Sequence, residues 1–249
     1  MKKIKDIQQI YGYHSVKAAL ENEIRVHKEL FILDKYSDFV KKYEKIVPKI
    51  YILESRYFSK KFGNENVTQG ICLISNKMKL KSFENFLDLE KNNKNSIIII
   101  LDQVTDPQNI GSIMRSCALF NCNALIVGKD NSPDITSSLI KAASGAIEKV
   151  NYLKVTNLQR TIKILKKNNY WVYGLDSAKK ISKLDEIIPN RCAFVLGSEG
   201  TGLRKIIKKE CDDVLAIPFN TDEKLGIDSL NVSNATSIAL YEYYKKYFL

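Results

Sequence analysis

A parallel α/β sheet is the fold the sequence predicts for residues 96–249, and two observations predict it. Five short, unbroken runs of β-formers occur: "SIIIILD" (96–102), "ALIVG" (124–128), "WVYGLD" (171–176), "CAFVLGS" (192–198) and "DVLAIPF" (213–219), with a weaker one at "VNYLKV" (150–155). Between them, residues at about 108–120, 135–145, 157–168 and 202–210 carry helical spacing of apolar residues. Strands that are apolar on both faces and alternate with amphipathic helices form a parallel sheet covered on both sides. The last segment, 231–248, sets Ala235, Ile238, Ala239 and Tyr243 on one helical stripe and closes the pattern.

Residues 1–78 predict a separate, small α/β unit. "YGYHSVKAALEN" (11–22) reads as a turn entering a short helix, with His14 or Ser15 near its cap. "KELFIL" (28–33), "KIYIL" (49–53) and "QGICLIS" (69–75) read as strands, with a helix of Tyr and Lys between the first two. Residues 79–95 are polar and rich in Lys and Asn, and read as a linker whose middle can form a short helix. The domain boundaries expected are therefore 1–78, a linker at 79–95, and 96–249.

Composition narrows the function classes. The chain has 249 residues and a net charge of +11, and the first 80 residues carry 16 Lys and Arg against 9 Asp and Glu. A basic excess favours a polyanionic partner, because phosphates release counterions on binding. The five cysteines, Cys72, Cys117, Cys122, Cys192 and Cys211, form no CxxC pair, and most sit in apolar runs. They read as buried thiols of a reducing compartment, not as a disulfide frame or zinc site. With only His14 and His27, a histidine-based metal centre is not expected. "MKKIKDIQQI" lacks the apolar core of a secretory signal, and no apolar run is long enough to span a bilayer. The expectation is a cytoplasmic protein, with an organellar form as the alternative, and with neither membrane nor DNA as partner.

In an open parallel sheet, ligands bind beyond the carboxyl ends of the strands. Three unusual polar loops leave that edge: "DPQNIGSIMR" (106–115), "GSEGTGL" (197–203) and "IPFNTDEKLGIDSLNVSNA" (217–235). Alone, "GSEGTGL" reads as a strand-to-helix turn with Thr201 as N-cap. It is neither a P-loop, for want of "GK[ST]", nor a GxGxxG dinucleotide fingerprint, so a nicotinamide-dependent oxidoreductase is disfavoured. In "SLNVSNA", Ser229, Asn231, Ser233 and Asn234 crowd a helix start, more polar groups than capping needs. Arg115 alone reads as a surface helix arginine in a salt bridge.

Together, "DPQNIGSIMRSC", "FVLGSEGTGL" and "IPFN…SLNVSNATSIALYE" resemble, in order and spacing, the three motifs of the SpoU/TrmH family of the SPOUT class. These are S-adenosylmethionine (AdoMet)-dependent RNA ribose 2′-O-methyltransferases. The resemblance covers about residues 96–249. "YGYHSVKAALEN" and "TQGICLI" also resemble the small L30e-like RNA-binding domain that precedes the catalytic domain in 23S rRNA enzymes of the RlmB type. The resemblance implies a deep trefoil knot near the C-terminus and a homodimer with sites near the subunit interface, and the chemistry it implies needs no metal. It implies that Gly197 and Ile217 touch AdoMet, that Leu230 packs on the adenine region, and that Leu196, Ser229 and Gly174 line the pocket. It makes Arg115 the main catalytic residue, supported by Asn109, Glu199, Ser229 and Asn231.

Methyl transfer is an in-line displacement from a sulfonium to a ribose oxygen, so alignment and a better nucleophile are what the protein must supply. A guanidinium is effectively always protonated and makes a poor general base. Arg115 is therefore expected to hold a phosphate beside the target ribose and stabilise developing alkoxide charge, with Glu199 positioning it and Asn109 and Asn231 orienting their neighbours. Two departures from the family pattern stand out. The stretch "NTDEKLGID" (220–228) is longer than in close relatives by about four residues. Thr68 stands in "TQGI" where a histidine is common. In the first unit, Tyr11, Tyr13, Tyr51 and Tyr57 are candidates for base stacking, although packing roles explain them as well; His14 reads more simply as local packing. The leading expectation is methylation of a guanosine in large-subunit rRNA. The alternatives are a tRNA ribose methyltransferase, an adenosine-directed resistance-type rRNA methyltransferase, and a non-catalytic RNA-binding ribosome-assembly protein of the same fold.

Overall fold

The computed structural model describes residues 7–130, 132–176, 188–220 and 229–249. By contacts the chain divides into two units.

The larger unit, from Leu80 to Pro133 and from Val150 onward, is built on one six-stranded sheet. In chain order its strands are β5 (Ser96–Asp102), β6 (Ala124–Gly128), β7 (Asn151–Val155), β8 (Trp171–Leu175), β9 (Arg191–Gly197) and β10 (Asp213–Leu215). Their spatial order is β10-β8-β9-β5-β6-β7, and every pair is parallel. The parallel α/β sheet predicted from the apolar runs is thus the sheet observed. Central β5 is buried at every position. Ile98 and Ile100 face a core made with Ile126, Leu153, Ile162, Leu165 and Val195. Ile97, Ile99 and Leu101, also fully or almost fully buried, alternate with them along the strand. Each such side chain contributes roughly 1.5–3 kcal/mol by leaving water.

The helices of this unit are α5 (Phe83–Glu90), α6 (Pro107–Leu119), α8 (Leu158–Lys167), α9 (Lys205–Lys208) and α10 (Val232–Phe248). The short helix expected in the middle of 79–95 is α5, capped by Ser82, and its Phe83 and Phe86 are part of the core. The expected helix at 202–210 is reduced to α9, and Thr201 does not cap it: Arg204 occupies the N-cap, while Thr201 hydrogen-bonds Ser198 at 2.8 Å. Strand β10 ends at Leu215, because the "IPF" that follows leaves the ladder.

The smaller unit joins the described residues up to Lys79 to Asp134–Lys149. Its mixed sheet has the order β1-β4-β2-β3, from β1 (Ile7–Tyr11), β2 (His27–Ile32), β3 (Lys49–Ile52) and β4 (Ile71–Asn76). β4 lies antiparallel between β1 and β2, and β3 is parallel to β2. Its helices are α1 (Tyr13–Leu20), α2 (Ser37–Lys41), α3 (Ser55–Phe62), α4 (Glu65–Thr68) and α7 (Ser137–Ala143). The placement of α7 corrects the expected boundary at 96, since residues 134–149 pack with the first unit. Ser137 Oγ donates to the Gln9 carbonyl at 2.7 Å and Ser15 Oγ to the Ile140 carbonyl at 3.0 Å. Gly145, at φ +89°, lies so close to α1 that a Cβ would meet Ala18 Cβ at 2.7 Å. The N-cap of α1 is Gly12, at φ +87°, and His14 and Ser15 lie near it in the first turn, as expected. Cys72, Cys117, Cys122 and Cys192 are buried, as their apolar surroundings predicted, and burial pushes the Cys72 thiol up to about 12.

Candidate active site

The site is positioned by strand register. Asp102 at the end of β5 pairs with Gly197 at the end of β9, Leu196 with Leu175 of β8, and Leu175 with Leu215 of β10. All three polar loops therefore leave the same sheet edge side by side.

The first loop enters α6. Asp106 caps it, accepting from the N–H groups of Gln108 at 3.0 Å and Asn109 at 3.3 Å, and Pro107 occupies the first helical position, where no N–H is needed. This fixes Asn109 in the first turn. In the second loop the Gly202 N–H donates to the Ser198 carbonyl at 2.8 Å and closes a tight turn, which leaves Glu199 at its exposed tip. Gly197 is required there, because an added Cβ would lie 2.1 Å from the Gly202 carbonyl carbon. In the third, Asn231 caps α10, its Oδ1 accepting from the Ser233 N–H at 2.9 Å and the Ser233 hydroxyl at 2.6 Å. Capping consumes the oxygen, so the Asn231 NH₂ group is left to donate elsewhere. It donates to Asn109 Oδ1 at 3.1 Å and to Glu199 Oε1, while Asn109 Nδ2 donates to the same Glu199 oxygen at 3.2 Å. Three loops from three strand ends are thus pinned by a closed triangle of two amides and one carboxylate.

Beside this triangle lies a cavity of about 290 Å³. Leu196, Gly197, Ile217, Ser229 and Leu230, five of the six residues expected to hold a cofactor, line it. Gly174 does not. It lies within β8, where a Cβ would meet Leu203 Cδ1 at 2.8 Å, so its role is close packing beneath the sheet edge. Asp176, Phe219, Val232 and Ala235 also line the cavity and were missed from sequence. Asp176, which pairs with Lys208 at 2.5 Å, was findable as the first residue after β8.

Arg115 is exposed on α6 and has no hydrogen bond or ion pair among the described residues. The expectation that Glu199 positions it is corrected: Glu199 is engaged by Asn109 and Asn231 instead. Arg204, not singled out from sequence, makes an ion pair with a fully buried partner at this edge. Its guanidinium holds the fully buried Asp102 carboxylate at 2.7 Å and 2.8 Å, and its N–H donates to Asp102 Oδ2 at 3.1 Å. Most of "NTDEKLGID", at 221–228, lies outside the described residues.

A parallel sheet whose carboxyl edge presents three pinned loops and a glycine-floored cavity is the arrangement of a ligand-binding α/β enzyme. The model of the SpoU rRNA methylase family matches residues 96–241, and the chain belongs to that family. It is 33% identical to the 23S rRNA (guanosine-2′-O-)-methyltransferase RlmB of Salmonella typhimurium strain LT2, over 94% of this chain and 97% of that protein. The RlmB of Escherichia coli K12 matches with the same identity and coverage. Among solved structures, the SpoU methyltransferase AviRb of Streptomyces viridochromogenes, in complex with AdoMet, superposes with a TM-score of 0.77 at 18% identity, over 96% of this chain and 89% of that one. An AdoMet-bound rRNA methyltransferase of Sinorhizobium meliloti gives 0.78 at 19% identity, over 98% and 89%. The structural likenesses establish the fold.

Proposed function

We propose that this protein transfers the methyl group of AdoMet to a ribose 2′-hydroxyl of RNA, and that its target is a guanosine of large-subunit 23S rRNA. The observation that carries the reading is the Asn109–Glu199–Asn231 triangle closing beside the cavity. The near full-length identity to RlmB supports the choice of rRNA over tRNA. The cavity suits AdoMet: Gly197 brings backbone groups to its floor, and Leu196, Ile217 and Leu230 offer apolar surface to a purine. When bound, AdoMet supplies an electrophilic methyl group on its sulfonium. The protein's own part is to align the ribose, exclude water and ease deprotonation of the hydroxyl. The triangle holds the loop walls in one geometry, which is the positioning that such a displacement needs. Ser229 adds a hydroxyl at the cavity. Arg115, permanently charged, binds an RNA phosphate and stabilises the developing alkoxide instead of acting as a base.

A trefoil knot formed by the second and third motifs belongs to the same reading, in keeping with a cavity shared by residues 196–202 with Ile217, Phe219, Ser229 and Leu230. So does a homodimer. Leu119, Ile238, Tyr241 and Phe248 are exposed on α6 and α10, the first of which carries Arg115, and a second copy covering them would bring Arg115 to an interface. The smaller unit is read as the L30e-like part that holds the substrate RNA, in keeping with its basic charge. The test is methyl transfer from labelled AdoMet to unmodified 23S rRNA and, separately, to unmodified tRNA. Label in 23S rRNA alone is expected, with turnover lowered about 10²–10³-fold in Arg115→Ala. Label in tRNA alone would reassign the substrate. AdoMet binding without transfer to either RNA would point to a ribosomal particle as substrate, and no AdoMet binding at all would favour the non-catalytic reading.

A further inference from the structure

The smaller unit contains a cleft that the methyl-transfer site does not use. It has a volume of about 500 Å³ and is lined by Tyr13, His14, Lys35, Tyr36, Glu65 and Gln69. Sites for small ligands run roughly 300–1,000 Å³. One wall is aromatic. The rings of Tyr13 and Tyr36 are stacked, 5.9 Å apart at 19°, and Phe39 backs Tyr13 at 4.9 Å. His14 meets Tyr13 edge-on at 5.4 Å.

The other wall is polar and built with unusual care for an exposed loop. Gln69 is held at φ 59°, a left-handed conformation uncommon for a side chain of its size, and is followed by Gly70 at φ 73°. Such positions persist only where neighbours fix them, and they cluster at ligand clamps. Here both neighbours are the tyrosines. Gln69 Oε1 accepts from the Tyr13 N–H at 2.9 Å, and the Gln69 carbonyl accepts from the Tyr36 hydroxyl at 3.0 Å. With Oε1 occupied, the side chain keeps two N–H donors. Lys35, whose ammonium lies over the Tyr36 ring 5.5 Å from its centroid, pairs with Glu65 at 2.8 Å, and Ser55 donates to the second Glu65 oxygen at 2.9 Å. The cleft therefore offers a π-surface beside a mixed set of donors and acceptors. That combination matches a nucleobase, which has an aromatic face and a hydrogen-bonding edge.

We propose that this cleft receives one unpaired nucleobase of the substrate RNA. The base stacks on the Tyr13–Tyr36 wall, acceptor atoms on its edge meet the Gln69 amide, and Lys35 lies toward the sugar-phosphate backbone. The inference rests on the reading of RNA as substrate. It separates the tyrosines that sequence alone left together. Tyr51 is stacked on Phe31 at 4.7 Å, and the Tyr11 ring packs edge-on against Phe62, its hydroxyl pushed up to about 12 by burial. Of those four, only Tyr13 lines this cleft.

The test is binding of the full chain to unmodified 23S rRNA by filter retention, across a range of salt. Tyr13→Ala should weaken binding roughly ten- to a hundredfold, the loss of one base-stacking platform. Tyr13→Phe should stay within about twofold of the wild type, since the π-face survives. Gln69→Ala, a surface change that keeps the rings, should weaken binding roughly three- to tenfold. The salt slope should be unchanged, because no phosphate contact is removed. AdoMet affinity should be unchanged too, and RNA carrying 5-iodouridine should crosslink to the peptide containing Tyr13. Wild-type affinity in both Tyr13→Ala and Gln69→Ala, with folding intact by circular dichroism, would overturn the proposal. RNA binding that depends on Tyr13 without methyl transfer would uphold the cleft and remove the proposed activity. No binding of RNA by the wild type would remove both.

Discussion

Gly197 shows how narrowly the site is built at the scale of single residues. A Cβ there would lie 2.1–2.3 Å from Gly202 and Leu203 backbone atoms, which no rotamer change can relieve. Gly197→Ala is expected to destabilise the chain by about 1–3 kcal/mol and to weaken AdoMet binding at least tenfold. Urea unfolding and calorimetric titration would measure the two, and unchanged AdoMet affinity would show that the turn is not part of the cofactor site. The residues of this edge were legible to different degrees. Asn109, Glu199 and Asn231 stood out because each lies in a polar loop that follows a strand end and matches a motif of the family. Their triangle was not legible, because it depends on the register of β5 against β9. Arg204 escaped notice since nothing local marks it. Its importance comes from Asp102, the one charged residue ending an otherwise apolar strand, and that signal was available in "SIIIILD".

Elements at the sheet edge are held by that same pair. Asp102 ends β5 with no exposure, and Arg204 stands between the 197–203 turn and α9, so their ion pair fastens the turn to the central strand. Arg204→Met would leave the carboxylate buried without its counter-ion and is expected to cost about 3 kcal/mol. Adding Asp102→Asn should recover most of that loss. Urea midpoints of the single and double variants would decide it, and additive losses would mean that the two residues act separately. Five of the six parallel strands were legible as runs of β-formers, as expected of a sheet covered on both faces, and β7 was the weaker signal because Asn151 and Lys154 interrupt it. Strand β1 was not. "IQQIY" carries two glutamines, and it holds as a strand because Gln8 is buried and satisfied, donating to the Ile135 carbonyl at 3.0 Å and accepting from Arg25 at 2.9 Å. Partners 17 and 127 residues away leave no trace in a local pattern. Helix α3 escaped for the opposite reason, since it buries Phe58 alone.

The whole molecule raises two questions, whether copies associate and what holds the smaller unit together. If a second copy covers the exposed face of α6 and α10, Leu119→Glu should convert a dimer to monomers in light scattering and leave the unfolding midpoint of the monomer nearly unchanged; an unaltered mass would place the interface elsewhere. The smaller unit depends on residues far along the chain. Arg25 and Glu148 form an ion pair at 2.7 Å with about 1% of either side chain exposed, and Arg25 also reaches Gln8, Ser75 and the Asn76 carbonyl. Glu148→Ala is expected to cost about 3–5 kcal/mol, because it leaves a buried guanidinium without its counter-ion. His27 sits in the same environment, buried, with Nδ1 lacking a partner among the described residues. Burial lowers its pKa, the Arg25 charge lowers it further, and Glu148 opposes both. The folded state therefore takes up the proton less readily than the unfolded chain. The stability this contributes is present above the unfolded value of about 6.5 and is lost as pH falls toward the folded one. Urea midpoints should drop as pH falls below about 6.5, and His27→Leu should flatten that slope. In Glu148→Ala the raising influence is gone, so the folded pKa of His27 should fall further and the loss on acidification should begin at the same pH but extend lower. Titrating the His27 ring by NMR in both proteins would measure this directly, and an unshifted ring pKa in Glu148→Ala would show that Glu148 has no electrostatic hold on it.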